Sequence, residues 1–392
     1  MKVLKRIAKW TVVVGIALFL GIGCNVQPQK SAAANPDAKR VAVGTAPAAP
    51  ALADFNRDGK LDIAVANSGS KNVTVLLGDG KGGFTPATGS PFPAGDNPSD
   101  IAVGDVNGDG KLDLAFANHD TDYLTVLTGD GKGGFRPAPG SPFTVQSKPH
   151  PHGIALADFN GDGKPDLVTD DWQNDRVTVL FNDGRGGFQS PGTTFPVGKM
   201  PYHKLRAADV NNDGKADIVT TNFRGGNVTI LLADGQGTFK QPTGSPFEAN
   251  RQPFGIAIGD LNADGNPDLA VAHYSGHITD TSGDRMSILL GAGDGTFRLS
   301  WSQAVPGKAP TSVAVGDVNG DGILDAVFGN YANSSVTVVL GSRRDFTIAP
   351  GSPISVGSHP SSVAVADLNG DGKADIVTTN EQDNDISILL TK

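Results

Sequence analysis

The chain of 392 residues carries one cysteine, Cys24, so no disulfide within it can staple the fold. Charged residues make up 19% of the composition, against 52 glycines and 26 prolines. That balance points away from helices and towards many short strands and turns. No run of more than two basic residues occurs after the first ten positions, and the net charge is −9. A nucleic-acid or anionic-membrane surface is therefore not expected. The apolar run from Thr11 to Leu20 is too short to span a bilayer, which needs about 20 residues.

That run belongs to a targeting segment, residues 1–24, with Lys2, Lys5, Arg6 and Lys9 ahead of it. Its end, Leu20-Gly21-Ile22-Gly23-Cys24, resembles a bacterial lipobox, with Gly21 where such boxes usually carry Leu. The resemblance implies lipidation of Cys24 and an extracytoplasmic protein attached to a membrane through a lipid alone. Residues 25–39 are polar and rich in Ala and Pro, and read as a flexible tether.

From residue 40 to 392 one pattern, Asp-x-Asn-x-Asp-Gly-x-x-Asp, recurs seven times. Its copies begin at Asp54, Asp105, Asp158, Asp209, Asp260, Asp317 and Asp367, spaced by 50 to 57 residues. A fixed period near 50 marks a propeller or a solenoid. An apolar stretch precedes each motif, two more follow it, and a Gly-rich turn leads into an irregular fourth. Four short strands with turns between them make one antiparallel blade, so the reading is an all-β, seven-bladed β-propeller. The seventh repeat stops after its third strand, at Leu390, while Arg40 to Gly44 resemble the end of a fourth. The N-terminal strand is expected to close the last blade and remove the open edges of the array.

The spacing suits Ca²⁺, which takes six to eight oxygens at modest geometric precision. Alternate side chains of a tight loop converge, the glycine lets the chain reverse, and the last Asp closes the shell. The expected side-chain ligands are Asp54, Asn56, Asp58 and Asp62, then Asp105, Asn107, Asp109 and Asp113, then Asp158, Asn160, Asp162 and Asp166. The fourth and fifth loops offer Asp209, Asn211, Asp213 and Asp217, and Asp260, Asn262, Asp264 and Asp268. The last two offer Asp317, Asn319, Asp321 and Asp325, and Asp367, Asn369, Asp371 and Asp375. Backbone carbonyls would come from Lys60, Lys111, Lys164, Lys215, Asn266, Ile323 and Lys373. About seven structural calcium ions are expected, because three carboxylates crowded into one loop repel each other without a cation.

The segment from Phe254-Gly255 to Gly265 resembles the FG-GAP repeat of integrin α-subunits and the related bacterial VCBS repeats. Other blades replace the Phe-Gly pair, with Ser99-Asp100 or Thr311-Ser312. The resemblance implies a seven-bladed propeller with calcium loops on one face and a partner on the other.

All seven histidines and all four tyrosines fall near the loops of that second face. Six residues after the closing Asp, the seven blades read Ser68, His119, Trp172, Phe223, Tyr274, Tyr331 and Glu381. With His152, Tyr202, His203, Phe254 and His273, these rings form the candidate binding surface. It suits stacking on a sugar or capture of a cationic side chain of a protein. The other reading is that the rings only plug the channel. The longest loop, from His273 to Arg285, could also hold a transition metal through His273, His277, Asp280 and Asp284.

Three functions compete at this point: a non-catalytic glycan- or protein-binding module, a polysaccharide lyase or hydrolase with His152, His203 or His273 as base, and a plain scaffold. No nucleophile elbow, paired-carboxylate motif or metalloprotease signature favours the enzyme.

Overall fold

The computed structural model describes residues 38–145, 151–275 and 283–391. The targeting segment, Cys24 and nearly all of the tether lie outside them, as do His150, His277 and Asp280.

Seven four-stranded antiparallel blades follow one another along the chain. In the first, Pro47–Ala53, Asp62–Asn67 and Asn72–Gly78 pair in order, with Phe84–Pro86 and Phe92–Pro93 on the outer edge. The inner strands of the others are Pro98–Gly104, Ile154–Ala157, Pro201–Ala208, Pro253–Gly259, Pro310–Gly316 and Pro360–Ala366. Each inner strand meets the next, and the seventh meets the first, so the ring is closed. Closure is made as the sequence predicts: Lys39–Ala42 forms the outer strand of the seventh blade against Asp385–Leu389. The strand thus begins at Lys39, where the sequence placed the last residue of the tether. Arg40 binds Asp385 and Asp383 across this seam.

The local sequence explains the blades. Six inner strands open on a proline, whose missing N–H costs nothing at a strand start. The second strand of every blade is buried throughout, largely apolar in four of them, as in Asp62-Ile-Ala-Val-Ala-Asn67, and with Thr or Asp among the apolar residues in the other three. A strand covered on both faces cannot alternate. Seven apolar clusters form, one at each blade–blade boundary.

Candidate functional site

The second residue of each Asp-x-Asn loop is apolar and points into the core. Phe55, Val106, Phe159, Val210, Leu261 and Leu368 are at most 2% exposed. The closing Asp fastens this peg. Asp62 accepts the N–H of Phe55 on one oxygen and that of Gly78, at the end of the third strand, on the other. The same pair of bonds recurs at Asp113, Asp166, Asp217, Asp268, Asp325 and Asp375. The closing Asp is therefore a buried brace between strands, a role that its place in the motif did not announce.

Nearer the solvent, the loops wind on themselves. Asp54 accepts the N–H groups of Asp58 and Gly59, Asn56 that of Asp58, and Asp58 that of Lys60. The other six loops repeat this winding. In four of the seven loops the Lys expected only to offer its backbone carbonyl also folds its ammonium onto the Asp two residues before it. Lys60–Asp58, Lys111–Asp109, Lys164–Asp162 and Lys215–Asp213 lie 3.0–3.6 Å apart. Such exposed pairs stabilise by at most about 1 kcal/mol.

As the side chains stand, no three His, Cys, Asp or Glu groups among the described residues are gathered to hold a metal ion. The donor chemistry nevertheless suits a hard cation, being all oxygen and anionic. Burial, aided by the carboxylates of the same loop, pushes Asp113, Asp166, Asp217, Asp268 and Asp325 up to about 6. Asp62 and Asp375 are raised for the same reasons. The two backbone N–H groups that each closing Asp accepts offset only part of this rise.

At the other end of the blades, the position six residues after the closing Asp is tied to the loop that enters the inner strand. His119 donates its N–H to Asn97, Phe223 to Met200, Tyr274 to Gln252, Tyr331 to Ala309 and Glu381 to His359. Both loop sets thus meet on one face. There Tyr202 is the hub, with ring centroids 4.2 Å from His152, 5.6 Å from Phe254, 5.9 Å from Phe223 and 6.0 Å from Trp172. His119 stands 4.4 Å from His152, His203 stacks on Phe254 at 3.9 Å, and Tyr274 meets Phe254 edge-on at 5.5 Å. The hub sits where the fourth inner strand has one residue more than the other five that open on a proline, accommodated as a bulge between Pro201 and Leu205 with His203 at φ 85°. Burial pushes the Tyr202 hydroxyl up to about 12 and holds His203 well below the usual histidine range.

Two predicted members stand elsewhere. Tyr331 is in a separate pair with His359 at 4.7 Å, and its hydroxyl donates to Glu381 at 2.9 Å. His273 is not a loop residue: it ends the strand Asp268–His273, wholly buried, with Nδ1 3.0 Å from the Arg251 carbonyl. Burial pushes it down to about 3. It occupies the place held by Asn67, Asn118, Asn222, Asn330 and Asn380 in other blades, where those side chains brace the neighbouring strand or loop. Asp284 of the long loop accepts the N–H groups of Ser275 and Ala309.

Beneath the rings lies a charge cluster that the sequence reading missed. Lys204 of the fourth blade reaches past the third to Asp100 of the second, Nζ–Oδ1 2.5 Å, both buried. Gly153 permits the crossing, since a Cβ there would lie 3.0 Å from the Leu205 nitrogen. Asp170, also buried, accepts the N–H groups of His152 and Gly153 and lies 3.4 Å from His152 Nδ1. Aligning the inner strands from their last residues would have found the pair: Ala49, Asp100, Gly153, Lys204, Gly255, Ser312 and Ser362 share one position. Two opposite charges stand in a column of small residues.

Fold and loops define a seven-bladed propeller with an Asp-rich turn in every blade. The FG-GAP-like repeat family matches residues 54–116, 105–169, 209–271, 277–328 and 317–378. The chain belongs to this family.

Among curated relatives, cartilage acidic protein 1 of Xenopus tropicalis is 27% identical over 183 residues, 44% of this chain and 28% of that protein. The Homo sapiens protein of the same name is 25% identical over 218 residues, 53% of this chain and 32% of that one. The chain thus spans less than a third of the length of these relatives. Among solved structures, BBS1N in complex with ARL6DN has a TM-score of 0.61 at 14% identity, covering 91% of this chain and 96% of that one. Virginiamycin B lyase from Staphylococcus aureus has a TM-score of 0.58 at 15% identity, covering 90% and 98%. These likenesses concern the fold.

Proposed function

We propose that the chain is a calcium-stabilised, extracytoplasmic binding module that recognises a glycan or a protein through its ring face, and that a lipid on Cys24 tethers it to a membrane. One observation carries the binding reading: the rings form a connected surface across blades two to five only. A mere plug of the channel has no reason to be one-sided, whereas a recognition surface does. Half-buried rings fixed by their neighbours also lose little freedom when a ligand stacks on them. The calcium part rests on the seven all-oxygen loops and on the three carboxylates that each of them gathers. The histidines give little support to an enzyme: His152 is 4% exposed, and His203 and His273 are held neutral by burial.

The test is the triple variant Trp172→Ala, Phe223→Ala, Tyr274→Ala, compared with the unmodified chain on a glycan array with Ca²⁺ present. At about 1 kcal/mol or more per ring, the affinity of any glycan hit should fall roughly a hundredfold. Full affinity combined with a fall of several degrees in melting temperature would make the rings packing and nothing else.

A further inference from the structure

The inner strands surround a cavity of about 400 Å³. Two residues before the end of each strand, six blades place alanine: Ala51, Ala102, Ala155, Ala257, Ala314 and Ala364. The fourth places Arg206, the one charged residue in the cavity lining. The following residue is Leu, Val or Ile in the other six blades and Ala207 in the fourth.

Arg206 uses only one of its nitrogens, Nη1, towards the buried acids. Asp100 already holds Lys204 at 2.5 Å, with Arg206 Nη1 farther off at 3.7 Å, and Asp170 is served by two backbone N–H groups. Nη1 donates to the Leu205 carbonyl at 2.8 Å, while Nε and Nη2 have no hydrogen-bond partner among the described residues. Those two nitrogens form the edge of a guanidinium that grips a carboxylate with two parallel N–H donors. The rest of the wall is largely Ala, Val, Leu, Ile and Pro, and the volume lies in the usual range of small-molecule sites.

We infer that the channel holds a binding site for a small organic monocarboxylate, its carboxylate on Arg206 and its compact apolar body against the inner strands. This site is independent of the ring face and of the Asp-rich loops.

The experiment is calorimetric titration of the full chain with acetate, butyrate, hexanoate and benzoate, each beside its neutral amide. At least one acid should bind saturably below about 10 mM, its amide should not, and Arg206→Ala should weaken it at least tenfold. Because Asp100 keeps Lys204 at 2.5 Å, loss of the longer Arg206 contact should lower the melting temperature by only a few degrees. If it does not fold, Arg206→Lys takes its place: it retains the charge, lacks the two-donor edge, and should also bind tenfold more weakly. Absence of saturable binding by the unmodified chain, affinity unchanged in the variant, or equally good binding of the amide would each overturn the inference.

Discussion

The Asp-rich loops and the ring face sit at opposite ends of the same blades and use the repeat in opposite ways. In the loops every blade repeats one arrangement: an apolar peg, a wound turn, and a buried carboxylate that braces two strands. On the ring face the equivalent position runs from Ser68 through His119, Trp172, Phe223, Tyr274 and Tyr331 to Glu381. Only the rings of blades two to five there join into one surface. A position that every blade keeps serves the blade itself. A position that varies is free to serve something outside it.

The largest test of this contrast is calcium removal. With Kd about 0.1 mM and about 1 mM Ca²⁺, each site would add roughly 1.4 kcal/mol by linkage, and seven would add about 10. That rivals the whole stability of a typical domain, about 5–15 kcal/mol. Excess EGTA should therefore collapse the melting temperature, and an unchanged melting curve would end the calcium reading.

A smaller effect separates brace from lip within one loop. Asp217→Asn puts an amide N–H₂ where two backbone N–H donors converge, and should cost about 3 kcal/mol with or without calcium. Asp213→Asn, on the exposed turn, should cost less than about 0.5 kcal/mol in EGTA and matter only when calcium is present. Denaturant melts of both variants in both buffers decide the matter. Equal costs in EGTA would contradict the division of roles.

The smallest effect concerns His273. Since five other blades carry Asn at its place, His273→Asn should shift stability by less than about 1 kcal/mol and leave ring-face binding as it was. Loss of binding without loss of stability would return His273 to the site.

The sequence alone settled whatever repeats. Seven Asp-rich motifs at one period, apolar runs between them and a missing last strand were enough for blade number, strand order and closure of the last blade by the N-terminal strand. Local spacing writes these features directly, because each blade solves the same packing problem. The sequence also assigned most of the rings to one end of the blades, since loop order fixes the end on which a loop residue lies. Tertiary structure alone decided which of them touch. Tyr202 is the hub where the fourth inner strand has a single extra residue, and one position separates buried His273 from half-exposed Tyr274. The pairing of Lys204 with Asp100, 104 residues apart and across an intervening blade, likewise follows from closing the ring. Such contacts depend on distances between blades, which no local pattern encodes.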